Sequence, residues 1–171
     1  MCAVIDRTVF AAHGGIPSSV TSLTDLERAI PCPMGDPQTQ CPVAHQVLWN
    51  DPMTRAEFEL QLHTLRALGA SSEGGGGLLE RGFLPNSKRG TAHYFGDKAV
   101  DTFLAVNRLS QIIRAHECCP EGYYLHCGGR VLTIFSCSHY CEMRNKAAVA
   151  LVDEGGGKLS ILQIDTRSNH L

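Results

Sequence analysis

The chain has 171 residues, with 15 Lys and Arg against 17 Asp and Glu for a formal net charge of −2, and 43% apolar residues. That length suits one domain, or a large part of one, and is enough to bury a core. The charge balance lends no support to nucleic-acid binding, the composition is unlike a disordered chain, and no apolar run reaches the roughly 18–20 residues that span a bilayer.

Residues 3–12 (AVIDRTVFAA) read as one buried strand stopped at His13-Gly14-Gly15, where the glycines permit positive φ. Residues 22–30 form a short helix with Ser or Thr near its start. Residues 31–42 are a Pro-rich loop, and 43–52 a short apolar segment ended by Asp51-Pro52. Thr54 and Glu57 make a capping box, behind which Phe58, Leu62, Leu65 and Leu68 recur at helical spacing, predicting an amphipathic helix over 55–68. Residues 69–77 read as a flexible linker; their glycines lack the Lys-Ser or Lys-Thr of a nucleotide-binding loop.

Residues 82–96 read as irregular, with turn residues throughout. Asp97 is placed as the cap of a helix carrying Val100, Phe103, Leu104 and Asn107 on one face. Residues 109–115 are strand-like and run into Arg114-Ala115-His116-Glu117. Gly128-Gly129 turns into a strand from Val131 to Ser136, and 147–152 and 159–164 are two more strands around a hairpin turn at 153–157. The expected class is α+β with antiparallel pairing in the second half.

The eight cysteines, Cys2, Cys32, Cys41, Cys118, Cys119, Cys127, Cys137 and Cys141, contain no C-x-x-C pair, which argues against structural zinc. Cys118 and Cys119 are adjacent and poorly placed to pair with each other. All eight are expected to be reduced, which points to the cytoplasm or nucleus and away from secretion. The opening stretch, MCAVIDRTVF, starts in alternating apolar residues and has the features of no leader.

Three polar groups sit where apolar strands end: His13, Arg114 with His116, and the run from Ser136 to Tyr140. Loops at strand ends are where sites are built, and neutral imidazole is the commonest ligand of transition metals. Each has a plain structural reading too. His13 and His116 could be hydrogen-bonded loop histidines, Arg89 a solvated loop charge, and Tyr140 half-buried packing.

In chain order these segments resemble the phosphoprotein phosphatases, the metal-dependent Ser/Thr protein phosphatases. His13-Gly-Gly-Ile-Pro17 resembles their HGG segment, and Val47-Leu-Trp-Asn-Asp-Pro52 their L-W-x-D-P segment. Lys88-Arg-Gly-Thr-Ala-His-Tyr-Phe-Gly96 resembles R-G-x-x-x-x-F-G, and Ile112-Ile-Arg-Ala-His-Glu117 resembles R-x-H, followed by Pro120-Glu-Gly-Tyr123. Val131 to Ser136 with Tyr140-Cys141 resembles T-x-F-S-x-x-x-Y-C, and Asn145-Lys-Ala-Ala148 its continuation. Gly82-Phe-Leu-Pro-Asn86 and the stretch His116 to Tyr123 lean toward the EF-hand, retinal-degeneration-C branch.

The resemblance implies part of the calcineurin-like metallophosphatase β-sandwich flanked by helices. It implies hydrolysis of phosphoserine and phosphothreonine by water activated between two divalent metal ions, manganese or iron and zinc. His13 and His116 match two ligands of one ion, Arg89 an arginine that holds phosphate oxygens, and Tyr140 a tyrosine lining the cleft. The implied partners are a phosphoprotein substrate and regulatory proteins.

The resemblance assigns 1–166 to the C-terminal part of the catalytic domain and leaves 167–171 as a tail. A longer inserted helix and Gly-rich loop fall at 53–80. His139 stands where the family commonly has Asn. No EF-hand loop follows residue 150, so calcium regulation is not carried over. The family's G-D-x-H-G, G-D-x-V-D-R-G and G-N-H-E segments, with their carboxylate ligands, are absent from this sequence. Two neutral imidazoles cannot hold two dications at short separation, so the isolated chain is expected to be a fragment with little or no activity. Two other readings stand beside this one: a non-catalytic phosphopeptide- or protein-binding module, and a hydrolase using Cys118 or Cys137 as nucleophile.

Overall fold

The computed structural model describes residues 1–31, 35–69, 77–154 and 158–166. Residues 70–76 of the Gly-rich tract, 155–157 of the last turn, 32–34 of the Pro-rich loop and the tail at 167–171 lie outside the described residues. In chain order the first half contains β1 (Cys2–Ile5), β2 (Val9–Ala12), α1 (Leu23–Ala29), α2 (Pro37–Gln40), α3 (Pro42–Trp49), β3 (Asp51–Pro52) and α4 (Arg55–Ala67). The second half contains a helical turn α5 (77–80), β4 (Phe83–Pro85), β5 (His93–Phe95), α6 (Asp97–Asn107) and β6 (Gln111–Arg114). It closes with β7 (Tyr123–His126), β8 (Val131–Ile134), β9 (Ala147–Val152) and β10 (Leu159–Ile164). The α+β expectation holds.

The main sheet has the order β1-β2-β6-β8-β7. Its centre is parallel, β2 with β6 and β6 with β8, and only the outer pairs are antiparallel. β7 escaped the sequence reading, because its Tyr and Leu follow a motif of turn residues. The register aligns Phe10, Ile112 and Val131 on one face. That face packs on α6, with the Phe10 and Phe103 rings edge to face at 4.9 Å. Val100, Phe103, Ile112 and Val131 are essentially inaccessible. Each such side chain contributes about 1.5–3 kcal/mol by leaving water.

The single strand expected over 3–12 is instead a hairpin. Asp6 and Arg7 lie at φ 48° and 58°, and the Thr8 amide donates to the Ile5 carbonyl at 3.1 Å. The apolar residues on either side hid this turn. β2 begins with buried Val9 and Phe10, whereas β1 is exposed along its length.

Residues 82–96, expected to be irregular, carry β4 and β5, which pair with β3 in a second sheet of order β3-β5-β4. Strands of two or three residues leave no periodicity to read. The apolar segment 43–52 is mostly helix α3. Pro42 sits in the first turn, where its missing N–H costs nothing, and the Cys41 Sγ accepts from the Ala44 amide at 3.4 Å. Part of the Pro-rich loop likewise forms α2, capped by Asp36.

Asp97 does not cap α6. Gly96 holds that position, and Asp97 is the first helical residue. Its carboxylate pairs instead with Arg55 at 2.8 Å and Arg130 at 3.1 Å, tying α4 and the turn before β8 to the start of α6. The capping box of Thr54 and Glu57 is present, yet no residue of α4 is buried. β9 and β10 form a separate antiparallel hairpin, as expected. Among the described residues no helix is long and apolar enough to cross a membrane.

Candidate active site

The C-terminal ends of parallel neighbours open on the same side of a sheet, where loops gather polar groups. Ala12 of β2 is in register with Arg114 of β6, so His13 and His116 leave the sheet side by side. His116 turns back with φ 66°, and the Ala115 amide donates to the His13 carbonyl at 3.0 Å. This brings His13 Nε2 within 3.0 Å of His116 Nδ1, with the rings edge to face at 4.8 Å. Burial, then the Arg89 guanidinium, pushes His116 down to about 4. Burial, then Arg114 and Arg89, also lowers His13. Both rings are therefore neutral at pH 7 and share one N–H between them. His116 Nε2 is buried without a hydrogen-bond partner.

Trp49, at the end of α3, completes this corner. Its ring meets His116 edge-on at 5.1 Å and stacks on His45 at 6.1 Å. The Arg89 guanidinium lies 5.9 Å from the Trp49 ring centroid.

Arg89 is held from behind by Asp51. Its Nε and Nη2 donate to the Asp51 carboxylate at 2.9 and 3.3 Å. Asp51 also accepts from Arg114 Nη2 at 2.6 Å and Asn86 Nδ2 at 2.8 Å. Arg114 is wholly buried and donates further to the Gly14 carbonyl at 2.6 Å and to Glu117 at 3.0 Å. Glu117 in turn pairs with Lys88 at 2.9 Å. Burial alone would raise the Asp51 carboxyl, but the hydrogen bond from Arg89, the Arg114 charge and Asn86 outweigh it and hold it below the usual range. Three cations here face two carboxylates, so the corner keeps a positive bias toward an anion.

His13, His116 and Arg89 thus meet, while Tyr140 stands on another loop. It is 46% exposed, its ring meets Phe135 at 5.1 Å, and its amide donates to Asn145 Oδ1 at 2.9 Å. The sequence reading singled out Arg114 beside His116 but missed Trp49, Asp51, Asn86 and Glu117 as parts of the site. Asp51 and Trp49 were visible in the L-W-x-D-P resemblance, but nothing in the sequence showed that a carboxylate there would be fully buried between two arginines.

The donor set fits two nitrogen ligands of one metal ion: two neutral imidazoles, one with an orphaned buried nitrogen. It does not fit a pair of ions. Asp51 is committed to two guanidiniums, and among the described residues no three His, Cys, Asp or Glu are grouped to hold a metal.

Gly14 sets the spacing of this corner. Its amide donates to the Val47 carbonyl at 2.8 Å, and a Cβ there would stand 2.5 Å from the Leu48 carbonyl carbon and oxygen. Backbone cannot yield as a side-chain tip can, so Gly14→Ala must push α3 away from β2. A loss of about 1–3 kcal/mol is expected in urea unfolding, together with disturbed Trp49 fluorescence. A variant with wild-type stability and emission would refute the close-packing argument.

No protein-family model matches the chain. Curated proteins do. The chain is 31% identical over 152 residues to the PP2A-like serine/threonine-protein phosphatase PPG1 of Candida albicans, covering 86% of this chain and 29% of that protein. It is 29% identical over 151 residues to serine/threonine-protein phosphatase with EF-hands 1 of Rattus norvegicus, covering 81% and 22%. It is 30% identical over 160 residues to serine/threonine-protein phosphatase rdgC of Drosophila melanogaster, covering 85% and 20%. Among solved structures, a Saccharomyces cerevisiae phosphatase described as similar to human phosphatase PP5 superposes with a TM-score of 0.68 at 24% identity, covering 96% of this chain and 46% of that one.

The fold matches that of part of this Saccharomyces cerevisiae serine/threonine phosphatase. The chain itself is related to the phosphoprotein phosphatases, with EF-hand phosphatases among its relatives. It spans 20–29% of the length of these curated relatives.

Proposed function

We propose that this chain supplies the histidine and arginine side of a protein serine/threonine phosphatase site. The observation that carries the reading is the meeting of His13, His116 and Arg89 at the ends of β2, β6 and the loop before β5. His13 and His116 would be ligands to one of two divalent ions, manganese or iron and zinc. Bound metals supply Lewis acidity and a nucleophilic water in such enzymes. Arg89, backed by Asp51, presents a fixed cation to phosphate oxygens; its planar fork suits two oxygens at once. Tyr140 would line the cleft. The substrate would be a phosphoprotein in the cytoplasm or nucleus, with regulatory proteins as further partners.

Because Asp51 is spent on arginines, the carboxylate ligands must come from residues beyond this cluster. The chain alone is accordingly expected to show no turnover of an aryl phosphate with added Mn²⁺. Turnover that disappears in His116→Ala would overturn that expectation.

The metal assignment has its own readout. Mn²⁺ titrated into the chain should broaden the ring signals of His13 and His116 before those of the other histidines, the sequence having eight in all including these two. Even broadening across all of them would sink it. Arg89→Ala should weaken binding of a phosphoserine peptide about tenfold, the worth of one charge-assisted hydrogen bond. Specific peptide binding that persists without turnover, even with a complete set of ligands supplied, would favour a binding module instead.

A further inference from the structure

Two loops leave the sheet beside the site, and both carry thiols the phosphatase reading does not use. Arg114 of β6 is in register with Thr133 of β8. Cys118 and Cys137 each lie four residues beyond that pair, on loops that leave neighbouring parallel strands in the same direction. Backbone hydrogen bonds lace these loops together. The Phe135 amide donates to the Gly122 carbonyl at 2.8 Å, and the Lys146 amide to the Pro120 carbonyl at 2.9 Å. Asn145 pins the second loop by donating to the Cys137 carbonyl at 2.7 Å and accepting from the Tyr140 amide at 2.9 Å.

The other nearby thiols have different surroundings. Cys119 is buried, with its Sγ 3.6 Å from the Glu117 carbonyl. Cys141 sits in a left-handed conformation, φ 48°, and is hydrogen-bonded to the Tyr140 side chain. Cys118 is half-buried and Cys137 exposed; Cys118 interacts electrostatically with both Cys137 and Cys141, and of those two Cys137 is the one that lies at the same register distance beyond the sheet.

We propose that Cys118 and Cys137 are a modification site, joined by a disulfide when the chain meets hydrogen peroxide. The exposed Cys137 thiolate attacks one peroxide oxygen, breaking the O–O bond and leaving a sulfenic acid and a hydroxide, which takes up the proton released by the thiol to become water. The Cys118 thiol then attacks the sulfenic sulfur, forms the S–S bond and releases the second water. Sulfur is oxidised, both peroxide oxygens are reduced to water, and the two thiol protons are consumed in them. The link ties the loop of His116 to the loop of Tyr140. It stands on the thiols and the loop lacing, not on phosphatase activity.

The test is peroxide treatment of the purified chain, alkylation of the remaining thiols, digestion without reductant and fragment-ion sequencing. A dithiothreitol-reversible Cys118–Cys137 link is expected, with two free thiols lost. Cys118→Ser should leave Cys137 as a sulfenic acid trapped by dimedone. Retention of all thiols in chain that remains folded by circular dichroism would overturn the proposal. So would a link formed only to Cys141 or only between chains.

Discussion

Asp51→Ala is expected to cost about 3–5 kcal/mol and to leave much of the chain unfolded at 25 °C, because it strands a buried guanidinium. Arg114 has no accessible side-chain surface, and Asp51 has 1%. Their 2.6 Å contact is what makes the Arg114 charge tolerable inside the sheet. Burial already presses on the Arg114 guanidinium and lowers its proton affinity, although Glu117 and Asp51 oppose this. Removing Asp51 leaves only Glu117 and two backbone carbonyls to answer that charge. The neighbouring pair behaves differently. Arg89 is 21% exposed, so water can take over part of its solvation, and Arg89→Ala should cost about 1 kcal/mol. Urea unfolding followed by circular dichroism separates the two. The double variant Asp51→Ala with Arg114→Met should recover part of the loss, since it removes the stranded charge. An Asp51→Ala chain as stable as Arg89→Ala would defeat the account.

This carboxylate also marks where sequence reading stopped. The order of six motifs was legible, because each sets the residue types the family uses within one short run of sequence. His13, His116 and Arg89 followed from it, and the structure sets them in one corner. What could not be read was the support. Asp51 looks like the polar end of an apolar run, and its role depends on arginines 38 and 63 residues away. The same holds for the fold. α4 and α6 have long periodic faces and were placed nearly to the residue, whereas β3, β4 and β5 exist only through pairing with each other. A turn of Asp6 and Arg7 inside apolar sequence has no glycine to announce it.

Acidification tests the burial of two histidines. Burial, then interactions with nearby charges, holds His116 and His126 at about 4. Such residues titrate near 6.5 in an unfolded chain. Between those values the unfolded state binds protons that the folded state refuses, so stability rises with pH across the window. It is fully present above about pH 6.5, falls as pH drops toward 4, and levels below. A shift of that size corresponds to about 3 kcal/mol per group at the limit; both rings are only partly buried, and screening reduces this to roughly half. The expected loss from these two groups between pH 7 and pH 4 is thus about 3 kcal/mol. Asp51 acts at a different place: its lowered carboxyl stabilises the fold above its ordinary value of 3.8 and loses that contribution only at lower pH. His126 isolates one histidine from the site. Its Nε2 lies 3.1 Å from the Thr133 hydroxyl, and its buried Nδ1 has no partner. His126→Phe removes a titrating group while keeping a ring in place, so urea midpoints measured from pH 7.5 to 4.5 should lose part of their slope, with His116, His13 and His93 keeping the rest. An unchanged slope in that variant would show that the acid sensitivity arises elsewhere.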